Sequence, residues 1–285
     1  SDRMTALAAY TALPVQTRAV ILMTLSALFY ALTFVTVRAL SETFSVYQLV
    51  MFRAAIGTLV LLPWLFRSGV NVLRTDQWKL YGSRAVIVYA GNLCWFYALA
   101  HMALADATAL SFLMPVFTSL ILAFWMGESL KLPRVVSLVF GFAGAFVVIR
   151  PGFVEIGSAT IAMVFTTVAY GAATAMTRVL THRDDPNVVV FYMFALNLPL
   201  TLGPGVWHWT TPALWDWGLI AAFALLSLYS QIFMTRSLAL AEAVVVMPTF
   251  YLQLPLAAMF GFFLFGQVPE IWLIPGAILI IGGSY

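Results

Sequence analysis

His101 and Asp106 have the His-x4-Asp spacing of acyltransferases, in which a carboxylate poises an imidazole to take a proton. That chemistry also needs oxyanion donors above a substrate cleft. The chain repeats the acid in its second half but not the histidine, where the matching pair is Ser237 and Glu242. The pair also sits in a tight hairpin, and neither His-Glu-x-x-His nor Gly-x-Ser-x-Gly occurs to support hydrolysis. No catalytic residue, metal ligand or cofactor is therefore assigned. Asp106 and Glu242 each open an apolar run, where a carboxylate caps free N–H groups and meets the positive end of the helix dipole. No other acid lies inside a run beyond its first residue, so the relay of buried carboxylates that marks proton-driven transport is missing.

Other polar residues inside apolar runs point to binding. Arg53 stands about two turns into its run, and a charge at that depth is a candidate contact for a substrate carboxylate. Its alternative is to snorkel to the interface. Asn92 and Trp95 share one helix face, as do Ser227 and Gln231. Tyr30, Thr33, Ser111, Tyr170, Thr174 and Tyr251 complete a candidate wall that is mostly apolar, with a few amides and hydroxyls. Such a wall suits a small neutral or zwitterionic solute. Strongly anionic solutes fit it poorly, because no cluster of buried Arg or Lys is visible. Pro115, Pro248 and Pro255 each remove an i→i−4 hydrogen bond at mid-run and are candidate hinges.

The elements that must position these residues follow from composition. At 63% hydrophobic and 9% charged, with a mean hydropathy of +0.98, the chain is not a soluble domain. Apolar runs are continuous for about 20 residues, the length of a spanning helix, rather than alternating as barrel strands do. Ten runs emerge, at 18–40, 46–66, 82–101, 104–126, 134–150, 157–180, 187–207, 217–237, 242–265 and 270–285. Basic residues lie between runs rather than in one patch, which excludes nucleic acid as a partner. With the N-terminus inside, Arg3, Arg18, Arg67, Arg74, Lys79, Arg84, Lys131, Arg134, Arg178, Arg183 and Arg236 are cytoplasmic, against Arg38 and Arg150 outside. The positive-inside rule thus predicts both termini in the cytoplasm. The first run is expected to act as an uncleaved signal. A single Cys94 excludes an internal disulfide.

The two halves repeat one another. Ser26, Phe29, Ala31, Thr33 and Thr36 return as Thr167, Tyr170, Ala172, Thr174 and Thr177, each 141 residues later. Ala103–Glu128 returns as Ala239–Gln267, with Glu242 for Asp106, Pro255 for Pro115 and Gly266-Gln267 for Gly127-Glu128. Five spans per half is an odd number, so the second copy lies inverted in the membrane. The Ala-Leu-Ala-Asp/Glu-Ala openings, the mid-run prolines and the Gly-Glu ending resemble the drug/metabolite transporter superfamily. Within it the chain is similar to the ten-helix EamA-type branch, which includes bacterial exporters of amino acids, aromatic ones among them. The resemblance covers the chain from Arg18 onward. It departs at Gln267, which stands where the first half has Glu128 and weakens any role for that acid in coupling.

The expectation is an all-α integral membrane protein of ten transmembrane helices in two inverted five-helix repeats. A cytoplasmic segment covers residues 1–17, and the repeats cover 18–150 and 151–285. The resemblance implies a transporter of the bacterial inner membrane that exports small organic solutes by alternating access. Amino acids with aromatic or apolar side chains are the expected substrates, and the missing relay favours a facilitator or exchanger. The alternatives are a broad drug or metabolite effluxer and, from another class, a membrane-embedded acyltransferase using His101 and Asp106. The lipid bilayer and a small-molecule substrate are the expected partners. No oligomeric state is set, and a monomer satisfies the sequence. If Pro115 is a hinge, Pro115→Ala changes both transport rate and the reach of thiol reagents to cysteines introduced on the two sides. Wild-type behaviour in both assays rejects the hinge.

Overall fold

The computed structural model describes residues 13–101, 110–126 except 112 and 157–250, then 252–265, with single helical positions at 136, 139, 140, 143, 147, 275, 278 and 279. The runs expected at 134–150 and 270–285 thus fall, but for those positions, outside the described residues, as do Asp106 and Tyr251. The helices are α1 (Val15–Ser41), α2 (Val46–Ser68), α3 (Trp78–His101), α4 (Leu113–Met126) and α5 (Ser158–Leu180). They continue as α6 (Pro186–Ala195), α7 (Asn197–Trp207), α8 (Asp216–Leu240), α9 (Ala243–Phe250) and α10 (Gln253–Phe265). Among the described residues no strand occurs. Four single helices, α1, α2, α5 and α8, are long and apolar enough to cross a membrane, and so is the combined stretch Pro186–Trp207.

Local chemistry sets the helix ends. Ser45 caps α2 by accepting the Gln48 N–H, and Gly69 ends it with a φ of 82°, a conformation that favours glycine. Asp185 accepts the Asn187 N–H at the start of α6, with Pro186 in the first turn. The run expected as one helix over 187–207 breaks at Leu196 into α6 and α7. Pro199 supplies no N–H for the Ala195 carbonyl and its ring crowds that carbonyl. The run over 242–265 is interrupted by a turn at Leu252, three residues before Pro255, which has no N–H to donate. In contrast, the described helix continues through Pro248 and through Pro115.

Packing follows the repeat. The first run packs chiefly on the eighth (α1 on α8) and the third on the sixth (α3 on α5). Exchanging the halves converts one contact into the other. Likewise α4 packs on α5 while α9 and α10 pack on α1, and α2 packs on α6 and α7, a contact that maps onto itself. The halves are therefore interlocked rather than side by side. Small and hydroxylated residues hold these seams, as expected where lipid gives apolar helices no reason to associate. Ser26 Oγ donates to the Ser230 carbonyl at 2.9 Å, Ser230 Oγ returns a bond to the Ser26 carbonyl at 3.0 Å, and Ser237 Oγ reaches the Ala19 carbonyl at 2.7 Å. On the α3–α5 seam Thr166 Oγ1 donates to the Gly91 carbonyl at 3.1 Å.

The two ends of the α2–α6–α7 contact are tied separately. At one end Gln48, fully buried, exchanges two bonds with the Thr210 backbone, at 2.6 and 3.0 Å. At the other end Asp184 Oδ2 accepts from Thr75 Oγ1, Gln77 Nε2 and Tyr81 OH at 2.8, 3.2 and 2.9 Å. Each tie joins the first half to the second.

Gly171 sits where α5 meets α4. A Cβ there would lie 2.8 Å from Phe117 Cβ and 3.1 Å from the Met114 carbonyl oxygen, both carried by the α4 backbone. Gly171→Ala is expected to destabilise the bundle by about 1–3 kcal/mol, the usual cost of overpacking. The check is the melting midpoint of purified protein in detergent. Gly203→Ala, which meets nothing within 4 Å, serves as the control and should leave the midpoint unchanged.

Candidate substrate cavity

Where α1, α2, α3, α4, α5, α6, α8 and α9 converge, a cavity of about 70 Å³ opens. That holds a few waters, so this conformation surrounds the space closely. Its wall includes Tyr30, Arg53, Asn92, Tyr170, Thr174 and Gln231. These are six of the ten residues expected from sequence to touch a solute, and they come from both halves. Asn92 and Gln231 project amides from α3 and α8, which hold equivalent places in the two repeats.

The other four lie elsewhere. Trp95 is buried in an aromatic pile, edge-on to Phe34 at 5.3 Å and to Phe96 at 4.8 Å. It is joined to the cavity through Phe34 and Tyr30, whose rings are 5.1 Å apart. Thr33 donates its hydroxyl to the Phe29 carbonyl of its own helix at 2.8 Å. Ser111 is half-buried and does not line the cavity. Tyr251 is outside the described residues, and its neighbour Phe250 lines the wall instead.

The expectation that missed most is the one about charge. Arg84, assigned by the orientation count to the cytoplasmic ends, is 7% exposed and faces the cavity. Its Nε donates to the Ala173 carbonyl and to Thr177 Oγ1 at 3.2 and 3.1 Å. Arg53 is thus not the only basic residue facing this space, and two guanidiniums share it where no basic cluster was expected. A signal was available, since Arg84, Val88 and Asn92 recur every four residues and all line the cavity. Arg53 rests over the Phe194 ring, its Cζ 5.9 Å from the centroid, a cation–π distance. Phe194 is the residue that follows Arg53 by the repeat offset of 141. The two copies of one repeat position therefore meet at the pseudo-two-fold axis.

The hydrogen bond organising the polar wall is Tyr170 OH to Asn92 Oδ1, at 2.6 Å. Methionines 114, 193 and 234 supply adaptable apolar surface between the polar groups. Away from the cavity, His101 is exposed, with Nδ1 2.8 Å from the Tyr97 carbonyl and its ring 4.4 Å from that of Tyr97. Its described contacts are with its own helix.

Comparison with known proteins accords with this geometry. The model of the EamA-like transporter family matches residues 17–150 and again 157–285. A riboflavin transporter of Brucella anthropi is 29% identical over 235 residues, 80% of this chain and 83% of that protein. A pseudopaline exporter of Pseudomonas aeruginosa is 31% identical over 268 residues, 92% of this chain and 93% of the exporter. An S-adenosylmethionine uptake transporter of Rickettsia prowazekii is 23% identical over 235 residues, 82% and 80% of the two chains. One crystal structure superposes with a TM-score of 0.73 at 18% identity, over 94% of this chain and 95% of that one, a likeness of fold.

Because Asn92 and Tyr170 depend on each other, their substitutions should not add. Tyr170→Phe leaves a buried carbonyl oxygen without its donor, whereas Tyr170→Phe with Asn92→Leu removes both partners. The double variant is expected to cost less stability than the sum of the singles, by about 0.5–1 kcal/mol. Denaturation of the four proteins in one detergent measures the coupling.

Proposed function

The chain belongs to the EamA-like transporter family, and from that membership we propose that it carries small organic solutes outward across the bacterial inner membrane by alternating access. It is a membrane transporter, not an enzyme, an all-α integral membrane protein of ten helices in two inverted five-helix repeats. The repeats are taken as residues 18–150 and 151–285, with both termini cytoplasmic. The solutes proposed are amino acids with aromatic or other apolar side chains.

One observation carries this reading. Polar groups from both repeats, the Asn92–Tyr170 pair and Gln231, converge on one cavity beside the apolar surfaces of Tyr30, Phe194 and Phe250. A mostly apolar pocket with a few aimed polar groups suits a solute with a polar end and an apolar body. Among the described residues no acid lines it, which supports a facilitator or exchanger rather than a proton-coupled pump. Pro115, Pro248 and Pro255 remain the proposed hinges, and the division before Pro255 supports that one. The broader reading, an effluxer of varied metabolites, draws on the three cavity methionines and on relatives named for chemically unlike solutes.

Uptake of a labelled amino acid panel into proteoliposomes, with and without an imposed pH gradient, tests the reading. Transport of phenylalanine, tyrosine and tryptophan independent of the gradient is expected. Gln231→Leu should reduce it at least fivefold, about 1 kcal/mol for a lost polar contact. Transport that requires the gradient refutes the facilitator, and movement of no amino acid refutes the substrate class.

A further inference from the structure

Three uncommitted polar groups of the cavity wall can only donate: the guanidiniums of Arg53 and Arg84 and the amide N–H of Asn92. Every hydrogen bond that Arg84 makes to the described residues runs through Nε, which fixes the guanidinium plane while the group lines the cavity. Arg53 meets the Phe194 ring and makes no hydrogen bond to the described residues. Asn92 is 2% exposed; its Oδ1 is taken by Tyr170, while its Nδ2 has no partner among the described residues. A buried amide N–H left unmade is costly, and so is a pair of like charges within electrostatic reach of one another in an apolar setting. No carboxylate among the lining residues offsets them.

One kind of ligand removes all of these penalties together. A carboxylate offers two coplanar oxygens that match a guanidinium fork and can also accept from an amide N–H. A cationic group in the same place would meet two positive charges. We propose that the cavity is selective for solutes with net negative charge, holding a carboxylate between Arg53, Arg84 and Asn92 Nδ2 and the solute's apolar body against Tyr30, Phe250 and Met234. The inference rests on the transport reading above and shifts its preferred substrates from zwitterionic amino acids with aromatic or apolar side chains to organic anions with a similar apolar body.

Three probes with the same phenyl ring separate the possibilities. They are 3-phenylpropionate (anion), phenylalanine (zwitterion) and phenethylamine (cation). Calorimetric titration of purified wild-type protein should give the order anion, then zwitterion, then amine, with at least a tenfold step between the first two. Arg53→Gln and Arg84→Gln should each weaken the anion about tenfold, the scale of one charge-assisted hydrogen bond, and leave the amine no weaker. Arg84→Lys keeps the charge and should keep the order, and the wild-type order is decisive even where a variant folds poorly. An anion that binds no tighter than the other two, or does not bind at all, overturns the proposal. So does an order that survives in both glutamine variants. If the charge preference is reversed while the vesicles still move amino acids, this inference falls and the transport reading stands; vesicles that move nothing defeat that reading as well.

Discussion

Lipid gives an apolar helix no hydrophobic reason to leave it for another helix, so the bundle depends on close backbone approach and on hydroxyls that bond across the seam. The α1–α8 contact illustrates this, with Ser26 and Ser230 each donating to the other's carbonyl. The same requirement places Gly171 against α4 and Gly91 against Tyr170 and Ala169. Because each main seam joins a helix of one half to a helix of the other, neither half is packed independently. The cavity lies at the meeting point of these seams, and its walls come from both repeats.

Charge sets the chemistry of that meeting point. Many buried hydroxyls are absorbed by the fold, as those of Thr33 and Thr167 are by the preceding turn of their own helices. In the cavity Asn92 Nδ2 has no partner among the described residues, and Arg84 is anchored to them through one nitrogen. These donors sit together, beside adaptable methionines and four aromatic rings.

Much of the architecture was readable from residue order because it rests on run length and on an exact offset. Ten apolar runs and five matched positions at 141 residues are properties of the chain itself. Depth was harder to read. Trp95 and Asn92 share a face of α3, as their spacing of three required, yet Trp95 falls a turn further along, among Phe34 and Phe96. Arg84 was obscured by its place near the end of a run, where a charge rule takes it for a loop residue. The four-residue phase Arg84, Val88, Asn92 carried the better information. Thr33 shows a different limit, since its hydroxyl is satisfied by the Phe29 carbonyl and spacing does not reveal which acceptor a hydroxyl chooses. The break at Leu196 was legible in Pro199, but continuous hydropathy concealed it.

The pairing of Arg53 with Phe194 on the pseudo-two-fold axis has an evolutionary consequence. An antiparallel dimer of identical five-helix subunits must bring like against like on its axis, so this position could hold two arginines or two phenylalanines but never one of each. Two arginines there would repel, and two phenylalanines would leave that point on the axis without a cation. Only once the position was encoded twice could its copies diverge, giving one a charge and the other the aromatic face on which that charge rests. Duplication therefore did more than double the half. It released the centre of the molecule from symmetry, where a single copy of a functional group is most useful to a solute that has no symmetry of its own.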